Sequence, residues 1–202
     1  MLNSYYSPGV LEAGCDEAGR GCLAGPVFAA AVILPENFNH PSVNDSKKLS
    51  ASQRETAVEV IRESAISYAV SLVDVQEIDM LNILKASIVA MHRALDQLSP
   101  EPEYILVDGN RFIPYKHIQH RCIIKGDAQY TSIAAASILA KTTRDNYMKK
   151  LHGQFPGYCW NQNKGYPTLA HRKAIREYGI SPHHRRTFRL FNEQTRIDVF
   201  KQ

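Results

Sequence analysis

Short apolar runs that end at acidic residues are the feature that most constrains how this chain folds. Residues 10–15 predict a strand that ends near Asp16, and residues 104–107 predict a buried strand that ends at Asp108. Between them in the sequence, residues 25–34 predict another strand, of which residues 27–34 are apolar. An acid at the end of a buried strand lies at the edge of the core, where an unpaired charge is costly. We therefore expect a sheet whose carboxyl-end edge carries a functional site.

The remaining sequence patterns alternate between strands and helices. The glycine-rich link after the first strand is short, so the first two strands are expected to pair antiparallel. Further strands are predicted at residues 66–73 and 122–124, and helices at residues 50–63, 74–95, 130–151, 168–178 and 192–200. This order, β-β-α-β-α-β-β-α with a helical tail, predicts a mixed sheet covered by helices.

Length and composition indicate one globular domain over residues 1–202. The hydrophobic fraction is 44% and the charged fraction is 22%, which argues against a disordered chain. The sequence has no run of 18 apolar residues, and its first residues lack the pattern of a signal peptide. We therefore expect a cytoplasmic protein without membrane contact. The four cysteines form no C-x-x-C pair and are predicted to be reduced thiols.

Charge is distributed unevenly along the chain. Residues 141–202 contain 13 Lys and Arg against 4 Asp and Glu, whereas residues 1–140 contain 11 against 16. A basic C-terminal third beside an acidic body indicates a polyanionic partner that touches one side of the molecule. The alternative is a solvated basic face without a partner, and the charge pattern by itself does not decide between the two.

Four acids lie at or beside predicted strand and helix ends: Asp16, Glu17, Asp108 and Asp127. Carboxylates that converge repel one another unless a positive charge lies between them, and a divalent cation with oxygen ligands supplies that charge. Because consecutive strand residues point to opposite faces, Asp16 and Glu17 can share a site only if the strand stops or bulges there. Gly19 and Gly21 would allow this departure. Taken singly, each acid is more typical of a turn or a cap.

Several other segments are candidates for contact with a phosphate backbone. The glycine-rich residues 19–25 could approach a ligand closely, with Arg20 pairing a phosphate, or could be a flexible hairpin connection. Lys47 precedes a predicted helix and suits either phosphate contact or solvation. Ser137 and Lys141 share a helix face that could touch phosphate, although most of this small-residue helix is expected to pack on the sheet.

Aromatic and histidine residues towards the C-terminus allow two interpretations. Tyr166 lies in a basic loop, where it could stack on a sugar or a base, or could pack at the turn made by Pro167. His171 is expected to be structural rather than catalytic. Residues 183–186, His-His-Arg-Arg, are predicted to form a solvated basic segment, because no cysteine or acid accompanies the histidines at metal-ligand spacing.

Taken together, these blocks resemble the motifs of the ribonuclease HII family. The resemblance is carried, in chain order, by Gly14-Cys15-Asp16-Glu17-Ala18-Gly19-Arg20-Gly21 with Gly25-Pro26, Asp45-Ser46-Lys47-Lys48-Leu49, Val107-Asp108-Gly109, Gly126-Asp127, Ser132 to Lys141 with Arg144-Asp145, and Gly165-Tyr166-Pro167-Thr168 with His171. The blocks span residues 14–171, and no catalytic position departs from the family pattern.

The resemblance implies an RNase H-like fold, with a five-stranded mixed sheet flanked by helices and a basic helical extension over about residues 160–202. It implies an endonuclease that hydrolyses the RNA strand of RNA–DNA hybrids. It also implies incision 5′ of ribonucleotides embedded in duplex DNA, leaving 3′-hydroxyl and 5′-phosphate ends. Two Mn²⁺ or Mg²⁺ ions are the implied cofactors, and the protein is expected to act as a monomer.

Family roles are carried onto the matching positions of this chain. The implied metal ligands are Asp16, Glu17, Asp108 and Asp127. The implied substrate-binding residues are Gly19, Arg20, Gly21 and Tyr166 at the ribonucleotide junction, and Lys47, Ser137 and Lys141 at phosphates. Asp145 is the competing candidate for the fourth acid, but we expect it to act as a cap or to pair with Arg144.

Two other functions fit part of the pattern. A binding module without catalysis would use the same sheet and basic tail, but acids at strand ends would repel phosphates unless a metal were bound. A metal-dependent phosphatase acting on a small molecule would use the acids, but it would have no need of the basic C-terminal third. Cleavage of a nucleic acid accounts for both features.

Overall fold

A five-stranded mixed sheet forms the centre of the structure, a computed structural model that describes residues 2–191. The strands are β1 (Glu12–Ala18), β2 (Val27–Ile33), β3 (Ser67–Val73), β4 (Tyr104–Asp108) and β5 (Gln119–Ile123). Their order across the sheet is β3-β2-β1-β4-β5. β1 pairs antiparallel with β2 and parallel with β4, so the predicted mixed sheet is confirmed.

β1 continues further than the sequence predicts. Its antiparallel pairing with β2 runs to Ala18, opposite Phe28, so the strand does not end near Asp16. Its parallel pairing with β4 stops earlier, at Cys15 opposite Val107. The predicted strand end is therefore correct on the β4 side and wrong on the β2 side. The sheet opens between β1 and β4 at the point where the acids begin.

Within residues 2–191, six α-helices surround the sheet: α1 (Ala51–Ser64), α2 (Val75–Leu81), α3 (Ile83–Leu95), α4 (Thr131–Gln154), α5 (Trp160–Asn163) and α6 (Leu169–Tyr178). α1 begins with a capping box, in which the Ser50 hydroxyl accepts from the Gln53 N–H and the Gln53 side chain accepts from the Ser50 N–H. Thr168 caps the N-terminus of α6, where its hydroxyl accepts from the His171 N–H. The helix predicted at residues 192–200 lies outside the described residues.

The single long helix predicted up to Leu95 is wrong, because the chain breaks at Asn82. Asn82 has φ of +67°, which ends α2, and its side-chain oxygen accepts hydrogen bonds from the N–H groups of Leu84 and Lys85 at the start of α3. The apolar spacing continues across this break, so the periodicity alone does not reveal it.

Helices cover both faces of the sheet, with α4 on one face and α3 on the other. α4 lies directly on β1: a Cβ at Gly14 would be 2.2 Å from the carbonyl carbon of Ser132, so only glycine permits this approach. The first half of α4 is thereby held against the strand that carries Asp16 and Glu17.

Beyond α4 the chain folds back and packs on the end of that helix. Trp160 is fully buried and stacks on Tyr158, with ring centroids 4.9 Å apart, above Met148 of α4. The cysteines are free thiols, as predicted. Among the described helices, none combines the length and apolar character that a membrane crossing requires.

Candidate active site

Asp16 and Glu17 reach one cavity from opposite faces of β1. Asp16 lies on the α4 face, where it is 5% exposed and is hydrogen bonded by Ser137. Glu17 lies on the α3 face, and both carboxylates line a cavity of about 340 Å³ at the open end of the sheet. The sequence led us to expect that β1 stops or bulges here, and this expectation is wrong, because the pairing with β2 runs without interruption to Ala18. Convergence is possible because β1 has already separated from β4 after Cys15.

Asp108 closes this cavity from the neighbouring strand. It is the last residue of β4, and its Oδ1 accepts a hydrogen bond of 2.7 Å from the N–H of Gly126. That bond ties the end of β4 to the 3₁₀ turn Gly126–Ala128, which contains Asp127. Asp127 is 2% exposed and stands beside the described cavity lining, where its Oδ2 accepts from Lys47 Nζ at 2.6 Å.

The acids perturb one another's protonation. Burial raises the pKa of Asp16 well above its usual value, and the charges of Glu17 and Asp108 raise it further. Burial likewise raises the pKa of Glu17, although the Arg20 guanidinium, 3.1 Å from its Oε1, acts in the opposite direction. The pKa of Asp108 is raised by burial and by the charge of Asp127. The cluster therefore favours an added positive charge.

The chemistry of these donors fits a divalent cation. All are carboxylate oxygens, which Mg²⁺ and Mn²⁺ prefer. Among residues 2–191, no three acidic, histidine or cysteine side chains are already in position to hold an ion. Instead, Arg20 pairs with Glu17 and Lys47 pairs with Asp127. These two cationic side chains are 47% and 72% exposed, so both have room to move aside for a metal ion.

The glycine-rich loop that follows β1 borders the same cavity with its first three residues, Gly19, Arg20 and Gly21. Gly19 has φ of +96°, and a Cβ there would lie 2.0 Å from Nε of Arg144. Arg144 is buried beneath the loop and donates to the carbonyl oxygens of Ala24 and Pro26 at 3.2 and 3.1 Å. A buried guanidinium thus holds the loop in one conformation.

The prediction of a solvated basic segment at residues 183–186 is wrong for its two central residues. His184 is 2% exposed and Arg185 is fully buried. The Arg185 guanidinium donates four hydrogen bonds to carbonyl oxygens of the glycine-rich loop, at Gly19, Arg20 and Gly25. A basic run indicates solvation only where the fold offers its donors no acceptors, and here the loop offers three.

Tyr166 borders the cavity across from this loop. Its side chain is partly exposed, and the Arg144 guanidinium lies 5.8 Å from the ring centroid. The Tyr166 carbonyl oxygen accepts from Nδ1 of His171 at 2.9 Å, so a buried histidine fixes the backbone of this residue. His171 is fully buried and stands away from the cavity lining described here, as its predicted structural role requires.

His171 belongs to a buried network with Trp160 and His184. Since Nδ1 of His171 donates to a carbonyl, its Nε2 accepts, both from the Trp160 indole at 3.0 Å and from Nε2 of His184 at 3.2 Å. Nδ1 of His184 in turn accepts from the N–H of Ser181 at 2.9 Å. Burial lowers the pKa of His171, and it lowers the pKa of His184 to about 4. Both rings are therefore neutral near pH 7.

The residues predicted to contact phosphate also line the cavity, but they differ in how far they are exposed to solvent. Ser137 is 6% exposed, and its hydroxyl shares a hydrogen bond of 2.9 Å with that of Ser46. Lys141 is more accessible, and its Nζ lies 3.3 Å from Oδ2 of Asp145. Lys141 can therefore reach a ligand without rearrangement of the core.

Asp145 does not pair with Arg144 or cap a helix, contrary to the expectation from sequence. Its Oδ2 lies between Lys141 and Arg54, the latter at 3.4 Å. Arg144 instead directs its donors to backbone carbonyl oxygens, including that of Lys164. Adjacent residues of α4 point in directions about 100° apart, so sequence neighbours on a helix do not face each other.

Sequence reasoning missed the buried polar residues that hold the cavity walls: Arg144, His184, Arg185 and Trp160. Arg185 contacts residues that lie 160 to 166 positions earlier in the chain. No local pattern reports such a contact. The nearest local signal was the compact basic block at residues 183–186, which shows that donors are present but not which groups accept from them.

Comparison with known proteins agrees with this geometry. A family model described as Ribonuclease HII matches residues 13–191. The chain is similar to the ribonuclease HII of Parabacteroides distasonis, with 59% identity over 194 residues, which cover 96% of this chain and 98% of that protein. It is similar to that of Porphyromonas gingivalis, with 59% identity over 189 residues and 94% of each chain.

Solved structures show the same architecture. The crystal structure of the ribonuclease H2 from Pyrococcus horikoshii OT3 aligns with a TM-score of 0.75 and 28% identity, covering 89% of this chain and 94% of that one. A structure described as the PCNA:RNase HII complex from Archaeoglobus fulgidus aligns with a TM-score of 0.72 and 26% identity, covering 92% and 98%. The predicted RNase H-like fold is confirmed.

Proposed function

Since this chain belongs to the ribonuclease HII family, and is thus a ribonuclease H that cleaves the RNA strand of RNA–DNA hybrids, we propose that it also incises duplex DNA 5′ of embedded ribonucleotides. One observation carries the proposal. Acids from the ends of two strands line a single cavity, and a glycine-rich loop and a partly exposed tyrosine border it. Such a cavity offers a place for a phosphodiester and, beside it, groups that can inspect the sugars on either side.

We assign metal binding to Asp16, Glu17, Asp108 and Asp127. Two Mg²⁺ or Mn²⁺ ions, when bound, would supply activation of water and stabilisation of the departing 3′ oxygen. The raised pKa values of Asp16, Glu17 and Asp108 support this assignment, because burial and mutual repulsion both disfavour their charged forms and a bound cation would offset both effects. Asp16 is the most buried of these three and is influenced by both of the others, so it is the central ligand of the proposed site.

The chain's own residues would bind and orient the nucleic acid. Lys47 and Lys141 place ammonium groups at the cavity, where they would contact backbone phosphates, and Ser137 would add a hydroxyl. Arg20, about half exposed, would exchange its bond to Glu17 for a phosphate oxygen. With water as the nucleophile rather than the ribose 2′-hydroxyl, the products would carry 3′-hydroxyl and 5′-phosphate ends.

Recognition of the ribonucleotide would fall to the loop and the tyrosine. The backbone groups of Gly19, Arg20 and Gly21 would hydrogen bond the 2′-hydroxyl, the group that distinguishes RNA from DNA. Tyr166 would stack beside the following deoxyribose, where an added hydroxyl would collide with the ring. Two buried hydrogen bonds support this assignment: His171 donates to the Tyr166 carbonyl, and Arg185 donates to the Gly19 carbonyl beneath the loop. A site that distinguishes substrates by one hydroxyl group must be rigid.

An end-labelled DNA duplex with one ribonucleotide tests this function. We expect the protein with Mn²⁺ or Mg²⁺ to cut once, on the 5′ side of the ribonucleotide, and to leave an all-DNA duplex intact. Asp16→Asn should leave both duplexes intact. Cutting of the all-DNA duplex would contradict junction recognition, and metal-independent binding without any cut would favour a binding module instead.

We also propose that the chain acts as a monomer, since the proposed cavity takes all its groups from one chain. Sedimentation equilibrium of the protein alone and with the uncut duplex tests this. A mass of two chains per duplex at saturation would contradict it.

A further inference from the structure

Arg185 occupies an unusual position for an arginine. Its side chain is fully buried, and its three side-chain nitrogens all donate hydrogen bonds to main-chain carbonyl oxygens. Nη2 donates to Gly19 and Gly25 at 2.8 Å each, Nη1 to Arg20 at 2.9 Å, and Nε to Gly25 at 3.0 Å. Only a planar guanidinium presents so many donors in a fixed fork, so a lysine could not reproduce this arrangement.

These bonds determine which way two peptide groups point. In a trans peptide the C=O and the N–H project in opposite directions. The carbonyl oxygens of Gly19 and Arg20 face inward, towards Arg185. The N–H groups of Arg20 and Gly21 belong to the same two peptide groups, so they face outward, on the cavity that both residues line.

Charge strengthens this effect. Within residues 2–191, no carboxylate forms a salt bridge with Arg185, and burial lowers the pKa of its guanidinium to about 10. The positive charge beneath the loop is therefore balanced mainly by carbonyl dipoles. A carbonyl that accepts from a cation polarises its peptide group, which makes the N–H on the other side a stronger donor.

The backbone around Arg185 is fixed from two sides. The Arg185 N–H donates to the carbonyl of Leu23, and the Gly25 N–H donates to the carbonyl of His183. On the outer side, Asp79 of α2 accepts from the N–H groups of Arg186 and Thr187 at 2.9 and 3.1 Å. The guanidinium is thus placed by contacts that extend well beyond the loop.

We propose that Arg185 is a positioning residue, which acts from inside the protein to aim the N–H groups of Arg20 and Gly21 at the ribose of the substrate. This inference rests on the proposed function of the loop in reading the ribonucleotide junction. It assigns to the C-terminal basic block a part in sugar discrimination through the loop, without contact with the nucleic acid.

Arg185→Lys tests the proposal, because it keeps the charge and removes the fork. We expect the ratio of kcat/KM on a single-ribonucleotide duplex to kcat/KM on the same duplex with a 2′-fluoro sugar at that position to fall about tenfold, because only the first substrate has the hydroxyl that the two N–H groups would contact. This is less than the roughly 100-fold that a displacement of 1 Å can cause. The amide ¹H–¹⁵N signals of Arg20 and Gly21 should shift, while those of β2 stay in place. Arg62→Lys, the same change at an exposed arginine of α1, should alter neither quantity.

An Arg185→Lys protein with a wild-type ratio and unshifted Arg20 and Gly21 amides would overturn the proposal, and so would an equal loss on both substrates. If Arg185→Lys does not fold, Asp79→Ala replaces it. Asp79 is partly exposed, and its removal loosens the backbone beside Arg185. We expect Asp79→Ala to lower the kcat/KM ratio about threefold, a smaller loss than misplacement of a catalytic group causes, and an unchanged ratio would overturn the proposal. A wild-type protein that does not incise the embedded ribonucleotide contradicts the proposed function alone, because the amide shifts still report the positioning.

Discussion

At the residue scale, the site depends on polar side chains that the fold has removed from water. Asp16 and Asp127 are almost fully buried, and so are Arg144 and Arg185. A buried charge is tolerated only with partners. The arginines find carbonyl oxygens, and Asp127 finds Lys47. Within residues 2–191, no salt bridge pairs Asp16 with a cationic side chain, which is consistent with its proposed role as a metal ligand.

Replacing Asp16 with asparagine should abolish nearly all cleavage and preserve duplex binding. The substitution keeps the shape and removes the charge at the centre of the proposed metal site. Turnover on an RNA–DNA hybrid and affinity by fluorescence anisotropy are the two measurements. Glu63→Gln, at an exposed position of α1, serves as the matched control and should keep full activity. Wild-type-like turnover of Asp16→Asn would show that the site is assigned incorrectly.

Replacing Tyr166 with alanine should impair cutting at a single embedded ribonucleotide more than cutting of a long hybrid. The ring is proposed to contact the deoxyribose that follows a single embedded ribonucleotide, and a long hybrid has no such sugar for it to contact. Tyr166→Phe retains the ring and should stay close to wild type on both substrates. Steady-state kinetics on the two substrates provide the comparison, and an equal loss on both would argue against junction recognition by Tyr166.

At the element scale, close approach of α4 to β1 positions the acids. The contact between α4 and β1 is more extensive than the contact between any other two elements in the described chain, and Gly14 makes the approach possible. Caps at Ser50, Asn82 and Thr168 define where α1, α3 and α6 begin, and all three are polar residues that can accept from free N–H groups. The sequence predicted the starts at Ser50 and Thr168 but missed the start at Asn82, because that cap lies within a continuous apolar pattern.

Gly14→Ala should destabilise the protein by about 3 kcal/mol or more, because the added methyl would meet the backbone of Ser132 and no rotamer can relieve the clash. Gly153→Ala is the matched control. Gly153 lies in α4 with open space around it, so alanine there should be neutral or stabilise by up to about 1 kcal/mol. Urea unfolding of both variants measures the difference, and similar midpoints would contradict the packing argument.

At the scale of the whole molecule, the C-terminal segment and the loop after β1 behave as one unit. The bridge between Ala24 and His184 and the bonds of Arg185 join chain regions about 160 residues apart. The basic C-terminal third is consequently not a simple electrostatic tail. Truncation after about residue 180 would remove Arg185 and His184 along with the exposed basic residues, so substitutions of exposed residues are the better test of its phosphate affinity.

Stability should fall as the pH drops from about 6.5 towards 4. The folded state holds the pKa of His184 at about 4, whereas the unfolded chain binds this proton below about pH 6.5, so acid favours unfolding. Between about pH 7.5 and about pH 5, this histidine should contribute a loss of roughly 2 kcal/mol. His171 and His183 also disfavour protonation of His184, and Arg172 disfavours protonation of His171. The Tyr158 ring packs against His184 as well.

Urea midpoints at these two pH values check the prediction. His184→Gln should be less stable at neutral pH but should depend less on pH than wild type. His117→Gln, at an exposed position, should keep the wild-type dependence. The raised pKa values of Asp16 and Glu17 act in the opposite direction, because the folded state binds those protons more tightly. The difference between wild type and His184→Gln isolates the histidine, and identical pH profiles would contradict the prediction.

The sequence by itself determined the strands, most helices, the acids at strand ends and the family. Strand alternation, helix spacing and capping are set within a few residues of one another, so a single stretch of chain reports them. Tertiary structure alone decided how Asp16 and Glu17 meet without a bulge, because that depends on where β4 leaves β1. It likewise decided that Arg185 is buried. Its partners lie about 160 residues away, and only the folded path of the chain brings their carbonyl oxygens to it.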